Sequence, residues 1–261
     1  MNEKYCFEVG PEGQKSLEVL DYCFNETTKP FLIASGLSES TAVLEIGCGS
    51  GVMSIWIAQQ LEDKHSIIAI DNNSNQIAAA KKRAKEAGVT NIQFELLSAY
   101  DLEKLNQQFD LVYCRFTLHH LSEPDKVIKS VYQILKPGGI FVCEEGMVNA
   151  AFSYPESGAF CSPNAAYVEG ERDPNIGKKL FNKFYNTGFK NLTAKLIQPV
   201  LMTQDEKILL LPGLIESKQS YLEQGHSENE WENLYQEMIK LIDRKDQMVG
   251  FYQSCQVSGV K

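Results

Sequence analysis

The chain has no C-x-x-C pair and no long apolar run, and each absence excludes a class of protein. Its seven cysteines are an odd number without close pairing, so neither a disulfide framework nor a zinc ribbon is indicated. The longest apolar stretch, residues 208–215, is short and contains Pro212 and Gly213, and no apolar leader opens the chain. We therefore expect no membrane span and no secretion signal, and a reducing cytoplasm as the location.

Positive charge is also scarce. Lys and Arg number 25 against 34 for Asp and Glu, which gives a net charge of −9, and no short window has the basic density that tracks a phosphate backbone. DNA or RNA is therefore not expected as the main partner. A linker rich in proline, glycine or serine is lacking as well, so we expect one domain over residues 1–261. The apolar fraction of 43% excludes a disordered or fibrous chain.

Short apolar runs alternate with helical patterns in the core, residues 41–145, which is typical of βα units around a parallel sheet. The pattern predicts strands at residues 42–46, 66–70, 91–96, 109–114 and 139–144, and helices at residues 74–87 and 122–135. The runs at 67–70 and 140–143 are continuously apolar, as strands buried on both faces require.

Segments on both sides of this core are predicted to cover it. Within the N-terminal cover, residues 1–40, we expect one or two helices over 11–36, broken near Pro30. Residues 146–175 lack a regular pattern, and we expect them to form a lid, because long irregular loops are usually functional. The C-terminal part, residues 176–261, is predicted to hold helices and the last two strands. Its predicted elements are a helix at 175–186, a strand at 190–200, a helix opened by the capping box Ser227-x-x-Glu230 and a strand at 247–257.

The most informative motif is a glycine loop after the first strand, where residues 43–51 read VLEIGCGSG. Glycines let the backbone turn sharply and approach a ligand, and the amides of the next helix N-terminus lie beyond them. The dinucleotide fingerprint G-x-G-x-x-G needs a glycine where this chain has Val52. Glu45, just before the loop, would repel a pyrophosphate. The motif therefore favours a cationic cofactor without phosphate over NAD(P).

This loop resembles the first motif of the class I S-adenosylmethionine-dependent methyltransferases, an acidic residue followed by x-G-x-G-x-G. Further matches follow in order: Asp71 at the end of the second strand, FDLVYCR at 109–115 with LHHL at 118–121, and LKPGG at 135–139. A looser resemblance links Tyr5 and residues 10–12, 153–155, 173–177 and 188–189 to the small-molecule branch related to quinone-biosynthesis methyltransferases.

The resemblance implies a Rossmann-like α/β fold: a seven-stranded, mostly parallel sheet with helices on both faces, an antiparallel last strand, an N-terminal helical cover and a lid after the fifth strand. S-adenosylmethionine would be the methyl donor and S-adenosylhomocysteine the product. Asp71 would accept both ribose hydroxyls. Ser98 stands where many members have an acid that contacts adenine, so a hydroxyl or the backbone is expected to serve there. The cofactor-binding residues implied are Glu45, Gly47, Cys48, Gly49, Gly51, Asp71, Asn72, Gln76, Ser98, Ala99 and Arg115.

The reaction requires no obligatory catalytic side chain, since a sulfonium already activates its methyl group and alignment of the reactants supplies most of the acceleration. A general base helps only where the acceptor must lose a proton, and His119 and His120 are the candidates. Tyr5, His120, Tyr154 and Phe160 are the candidate substrate contacts. No metal site is expected, because no further ligand lies at suitable spacing near the two histidines.

Other interpretations stay open from the sequence. The glycines could serve only the turn, the histidines only packing, and Cys48 and Cys114 only the pocket wall. The apolar stripe from Trp231 to Ile242 is expected to be core, with lining of a substrate cavity as its alternative. The predicted function is methyl transfer to O, N or C of a small, partly apolar molecule. The alternatives are an RNA or protein methyltransferase and a non-catalytic cofactor-binding protein; a homodimer is also left open.

Overall fold

The computed structural model describes residues 11–61, 65–158 and 173–261. Its described strands are β1 (Ala42–Ile46), β2 (Ser66–Asp71), β3 (Ile92–Leu96), β4 (Phe109–Arg115), β5 (Leu135–Met147), β6 (Phe152–Tyr154), β7 (Lys190–Ile197), β8 (Val200–Leu201), β9 (Met248–Gly250) and β10 (Gln253–Val260). Its described helices are α1 (Pro11–Ala34), α2 (Val52–Gln60), α3 (Ser74–Glu86), α4 (Pro124–Ile134), α5 (Leu180–Thr187), α6 (Gln204–Lys207), α7 (Leu210–Glu223) and α8 (Glu228–Asp243). None of these helices is both long and apolar enough to cross a membrane.

Seven strands form the central sheet in the order β3-β2-β1-β4-β5-β10-β7. Strands β1 to β5 pair in parallel, and β10 runs antiparallel to both of its neighbours, β5 and β7. This arrangement confirms the predicted α/β sheet and its antiparallel last strand. The strand order reverses between β1 and β4, and the crevice at such a switch point is where open α/β sheets bind ligands.

Helices cover both faces of the sheet. On one face, Phe31 and Leu32 of α1 and Ile57 of α2 pack against Val43 and Leu111. On the other face, side chains of α4 and α5 pack against inward-facing residues of β4 and β5; they include Val127, Ile128, Val131, Leu180, Phe184, Val112, Cys114, Phe141 and Cys143. Successive side chains of each strand point into the two cores in turn, which is why the strand sequences are almost continuously apolar.

A second, smaller sheet lies beside the main one, with β9 between β6 and β8. Its inner face joins a separate apolar cluster with α7 and α8, and this cluster contains Leu201, Leu214, Trp231, Met238 and Val249. The capping box that opens α8 is confirmed, since Ser227 accepts from the N–H of Glu230 and the Glu230 carboxylate accepts from the N–H of Ser227. The Trp231-to-Ile242 stripe is core, as predicted.

Several predicted boundaries are wrong. Pro30 does not break α1, because Phe31 and Leu32 beyond it are buried and hold the last turn against the sheet. The predicted strand at 190–200 is divided into β7 and β8, and that at 247–257 into β9 and β10, because each segment passes from one sheet to the other. The predicted helix at 175–186 begins as a 3-10 turn, Ile176–Lys179.

The segment predicted as a lid is only partly described. Strand β5 continues to Met147, and β6 pairs with β9, so the described beginning of this segment is more regular than expected. Residues 159–172 lie outside the described residues. The lid role, like the division of the chain into cover, core, lid and C-terminal part, stays a prediction.

Candidate functional site

A cavity of ≈ 270 Å³ opens at the carboxyl ends of β1, β2 and β4, at the switch point of the sheet. One part of its wall consists of the loops that follow β1 to β4. The other part comes from α1, α7, α8 and the two residues between β9 and β10. The cavity therefore lies between the sheet and the helices that cover its edge.

The glycine loop after β1 has a left-handed backbone and almost no room for side chains. Gly47 has φ 74° and Gly51 has φ 79°, a region that glycine adopts without strain. A Cβ on Gly47 would lie 2.1 Å from Thr117 Oγ1, and one on Gly51 would lie 2.9 Å from the Cβ of Ala80. Gly47 thus lets this loop contact the loop after β4, and Gly51 lets it contact α3.

Asp71 joins this loop to the end of β2. Its Oδ2 accepts the N–H of Gly49 and its Oδ1 that of Asn73, each at 2.9 Å. Burial raises the pKa of Asp71, and the N–H groups of Asn73 and Gly49 offset part of that rise. The residue lines the cavity, and a carboxylate has about four acceptor positions, which is more than these backbone N–H groups use. Asp71 is therefore a carboxylate fixed in place on the cavity wall.

Glu45 is buried on β1 and also lines the cavity. Burial raises its pKa from 4.5 to about 7, although a hydrogen bond from Ser54 opposes the rise. A carboxylate in this position is poorly solvated, so a positively charged ligand in the cavity would stabilise its ionised form. The site can favour a cation and would disfavour a phosphate.

Arg115, at the end of β4, is engaged by α1. Its guanidinium donates to Asp21 Oδ1 at 2.6 Å and to Asn25 Oδ1 at 2.7 Å. The next residue, Phe116, has φ 48°, a left-handed conformation that is strained for a bulky side chain, and it lines the cavity. The strained backbone lies next to the Arg115 contacts, so α1 holds this part of the cavity wall in place.

The two histidines differ in their surroundings. His119 Nδ1 lies 2.7 Å from Glu145 Oε2, and Glu145 Oε1 accepts the N–H groups of Thr117 at 2.8 Å and Leu118 at 2.6 Å. The ring centroids of His119 and His120 are 3.8 Å apart. Burial, followed by the neighbouring His119, holds the pKa of His120 well below its usual value. His120 is therefore neutral, and His119 is the histidine with an anchored ring.

Most residues predicted to bind the cofactor are brought together around the cavity. Those that line it are Glu45, Gly47, Cys48, Gly49, Asp71, Asn72, Ser98, Ala99 and Arg115, together with His119 and His120. The Ser98 hydroxyl accepts the N–H of Tyr100, which makes it the N-cap of the turn Ala99–Leu105. All of these assignments stay predictions about binding.

Three predicted site residues that the structure describes do not lie on the cavity wall. Gly51 faces α3, and Gln76 is buried in the first turn of α3, where its N–H donates to Asn73. Tyr154 is 71% exposed on β6, because it lies on the outer face of the small sheet. Tyr5 and Phe160 lie outside the described residues.

Sequence reasoning missed Glu145 and the apolar part of the wall. Glu145 follows Glu144 at the end of a buried apolar strand, and a carboxylate there requires partners, which is the signal that could have identified it. The apolar wall comes from distant segments and includes Val19, Leu20, Leu209, Leu210, Leu214, Met238, Phe251 and Tyr252. Met238 belongs to the stripe of α8, so one residue of that stripe does line the cavity.

Among the described residues, Cys114, Cys143 and Glu145 bring potential metal ligands within 4.8 Å of one another. Both oxygens of Glu145 already accept hydrogen bonds. Burial, followed by the neighbouring Cys114, raises the pKa of the Cys143 thiol well above its usual value. The trio therefore offers no set of free anionic donors of the kind that a metal requires.

Comparison with known proteins finds relatives of this chain in sequence and in fold. Residues 37–193 match the family model described as a methyltransferase domain. A ubiquinone biosynthesis O-methyltransferase of Pseudomonas fluorescens is 35% identical over 98 residues, which cover 37% of this chain and 40% of that protein. The chain spans less than half the length of the first curated relatives it matches.

Solved structures share the fold over almost the whole chain. The YcgJ protein of Bacillus subtilis has a TM-score of 0.62 at 16% identity and covers 91% of this chain and 98% of its own. Phosphoethanolamine N-methyltransferase 2 of Haemonchus contortus, crystallised with phosphomonomethylethanolamine and S-adenosylhomocysteine, has a TM-score of 0.60 at 17% identity. That alignment covers 97% of this chain and 59% of the Haemonchus protein.

Proposed function

Because the chain belongs to the family of methyltransferase domains, we propose that it is an enzyme that moves a methyl group from S-adenosylmethionine to a small molecule. The observation that carries the proposal is Asp71, whose two oxygens are fixed by Gly49 and Asn73 on the cavity wall beside the glycine loop. A carboxylate held in this way fits the two hydroxyls of a ribose, and each such charge-assisted bond is strong.

The other residues of this part of the wall fit the same donor. Glu45 supplies a carboxylate whose negative charge is incompletely neutralised by its neighbours. A sulfonium or ammonium group would stabilise this charge, and the pyrophosphate of NAD would be repelled by it. Asn72, Ser98 and Ala99 follow the ends of β2 and β3, where an adenine would extend from the ribose. Because the Ser98 hydroxyl already accepts the N–H of Tyr100, we expect the backbone of this loop to make most of the contacts to adenine.

The protein's contribution is to bind and align the reactants. The donor supplies a methyl group on a positively charged sulfur, so no residue has to form a covalent bond to the substrate. Asp71 and the glycine loop fix the donor, while the apolar wall excludes water and orients the acceptor. Alignment of this kind is worth roughly 7 to 11 kcal/mol of the barrier.

The acceptor we propose is small and at least partly apolar. The part of the cavity wall formed by α7, α8 and the turn after β9 consists of apolar side chains such as Leu210, Leu214, Met238 and Phe251. The Pseudomonas relative is named for O-methylation in ubiquinone biosynthesis, which supports a small apolar acceptor for the matching stretch. The net charge of −9 weighs against a nucleic-acid substrate, and the free thiols of Cys23, Cys48, Cys114, Cys143 and Cys255 support a reducing, cytoplasmic location.

Calorimetric titration tests the proposal. Wild-type protein is expected to bind S-adenosylmethionine and S-adenosylhomocysteine in the micromolar range and not to bind NAD. Asp71→Ala removes the ribose acceptor, so it should weaken binding of both by roughly 10- to 100-fold, since a hydrogen bond to a charged group contributes about 1.5–3 kcal/mol.

The matched control is Asp101→Ala, which removes an aspartate that pairs with Lys104 and does not line the cavity. It should bind like the wild type. Equal binding by Asp71→Ala and Asp101→Ala, or tighter binding of NAD than of S-adenosylmethionine, would contradict the assigned site.

A further inference from the structure

The contact between His119 and Glu145 is a feature of the cavity that donor binding does not use. Glu145 is fully buried, and three donors converge on it: the N–H groups of Thr117 and Leu118 on Oε1, and His119 on Oε2. Because Oε1 already accepts two backbone N–H groups, the geometry makes Glu145 an acceptor toward the imidazole as well. The proton of a neutral His119 is therefore held on Nδ1, which leaves the lone pair on Nε2.

Several charged or titratable groups of the described residues lie near His119. His120 stacks on it and is neutral. Cys114 and Cys143 lie near Glu145 on β4 and β5. The N–H of Asp173 donates to the His119 carbonyl, and its carboxylate pairs with Lys179. Arg115, at the end of β4, pairs with Asp21. Glu145 is thus the group that sets the orientation of the ring.

The loop that carries His119 touches the glycine loop. Thr117 Oγ1 lies within hydrogen-bond range of the Ile46 carbonyl at 3.4 Å, and it fills the space that a Cβ on Gly47 would need. His119 lines the same cavity as Asp71 and Glu45. A base on this loop therefore lies beside the proposed site of the donor. It can take a proton from the same acceptor atom that receives the methyl group.

The remaining wall indicates which acceptor such a base would serve. Its side chains are apolar or aromatic, with Phe116, Leu214, Met238 and Phe251 among them, and its charged groups Asp21 and Arg115 neutralise each other. Among the residues that the structure describes on this part of the wall, an ammonium acceptor would find no unpaired anion. A phenol or enol hydroxyl must lose its proton as its oxygen is methylated, and a positioned base can accept that proton.

We propose that His119 is the general base for an acidic hydroxyl, of the phenol or enol type, on an apolar acceptor, and that Glu145 is its positioning residue. The inference rests on the proposed function. His119 Nε2 takes the hydroxyl proton, the oxygen forms its bond to the methyl carbon as the carbon–sulfur bond breaks, and the sulfur keeps that electron pair as a neutral thioether. The proton leaves His119 for solvent after the transfer.

The test compares Glu145→Gln and His119→Gln with two matched controls. Glu144→Gln changes the neighbouring buried glutamate, which contacts Thr28 of α1 instead of His119. His226→Gln changes a histidine that stacks on Tyr221 and does not line the cavity. The probe is 4-nitrocatechol, whose ionisation is visible by absorbance, bound to protein saturated with S-adenosylhomocysteine; 1,2-phenylenediamine is the matched amine.

Two readouts are expected to change together. Nitrogen-15 NMR should show the His119 proton on Nδ1 in the wild type and on Nε2 in Glu145→Gln, because the amide donates where the carboxylate accepted. Bound 4-nitrocatechol should ionise about one pH unit lower than free probe in the wild type and in both controls, and lose this shift in Glu145→Gln and His119→Gln. Methylation of the catechol should fall roughly 100- to 10,000-fold in these two variants.

The outcomes separate this inference from the proposed function. Failure of wild-type protein to bind S-adenosylhomocysteine would overturn the proposed function and this inference with it. If S-adenosylhomocysteine binds but 4-nitrocatechol does not, or if the diamine is methylated in its place, only the hydroxyl acceptor fails. An unchanged tautomer in Glu145→Gln, or an ionisation shift that Glu144→Gln loses equally, would overturn the role of Glu145.

Discussion

At Glu45, the stability of the fold and the binding of a cationic donor make opposite demands. The carboxyl is fully buried on β1, and burial raises its pKa to about 7. In the unfolded chain the same group ionises near 4.5. The folded state therefore binds the proton more tightly, and Glu45 lowers stability progressively as the pH rises from 4.5 to 7. Above pH 7 the loss of folding stability caused by burying this charge has reached its full value.

Replacing Glu45 by glutamine should thus stabilise the protein without ligand at high pH. We expect Glu45→Gln to raise the free energy of unfolding at pH 8 by on the order of 1–3 kcal/mol, and to change it little at pH 5. Thermal unfolding at the two pH values measures this difference. A stability difference that is the same at pH 5 and pH 8 would show that burial of the charge is not the cause.

The same substitution should weaken donor binding. A cation in the cavity stabilises the ionised carboxylate, so wild-type affinity for S-adenosylmethionine should rise between pH 6 and pH 8, through the pKa of Glu45 near 7. Glu45→Gln should bind more weakly at pH 8 and lose most of this pH dependence, as followed by calorimetry.

Among the elements, α1 covers the cavity edge and is attached to the sheet by buried polar contacts. Thr28 Oγ1 donates to Glu144 Oε2 at 2.5 Å, and Ser254 donates to the other oxygen of the same carboxylate at 2.6 Å. Nearer the cavity, Asp21 and Asn25 accept from Arg115. The position of α1 therefore depends on hydrogen bonds to charged groups as well as on Phe31 and Leu32.

Thr28→Val should loosen this attachment. It keeps the side-chain volume but removes a donor to a buried carboxylate, which costs about 1–3 kcal/mol. The melting temperature should fall by roughly 2–4 °C per kcal/mol for a chain of this size. Amide exchange in α1, followed by mass spectrometry, should accelerate with it. Thr187→Val, which removes a hydroxyl at the end of α5, is the control, and an equal effect on α1 in both variants would contradict this account.

The sequence predicts helices and strands that their own local pattern of residues defines. It does not predict those whose bounds depend on partners far away in the chain. The bounds of β1 match the prediction, and β2, β3 and β4 differ from it by one residue at one end. Strand β5 is longer than predicted because β10 pairs along it as far as Met147. The small sheet joins three segments that are far apart in the chain, so no periodicity within any one of them could reveal it. Pro212 obscured α7, although proline in a first turn is compatible with a helix.

The same distinction holds for the candidate site. The glycine loop and Asp71 were found because their spacing is a local pattern. Glu145 was missed because its role depends on the backbone N–H groups of Thr117 and Leu118, which only the folded sheet brings to it. The apolar wall depends on how α7 and α8 are placed over the sheet, and composition says nothing of that.

At the scale of the whole molecule, the two parts of the cavity wall come from different parts of the chain. The match to the methyltransferase domain spans residues 37–193 and contains the glycine loop, Asp71 and His119. The helices α1, α7 and α8 and the turn at Phe251 and Tyr252 lie outside that match. We expect residues of the second group to set acceptor preference with little effect on the donor.

Met238→Ala tests this separation. Met238 is buried on α8 and lines the cavity. Its truncation should cost about 2–5 kcal/mol of stability and raise the KM for an acceptor, with the Kd for S-adenosylmethionine unchanged within a factor of about two, which is less than 0.5 kcal/mol. Met202→Ala, at a position 61% exposed, is the control. An equal loss of donor and acceptor affinity would contradict the division of the wall.

Glu144 and Glu145 are consecutive buried residues of β5 that point to opposite faces of the sheet, one toward Thr28 and the other toward His119. A slip of β5 by one residue would exchange their faces, because side chains alternate along a strand. Each carboxylate would then meet the wrong surroundings and lose its donors, at a cost of several kcal/mol for each buried charge. The two carboxylates consequently favour the native register of β5 over the register shifted by one residue.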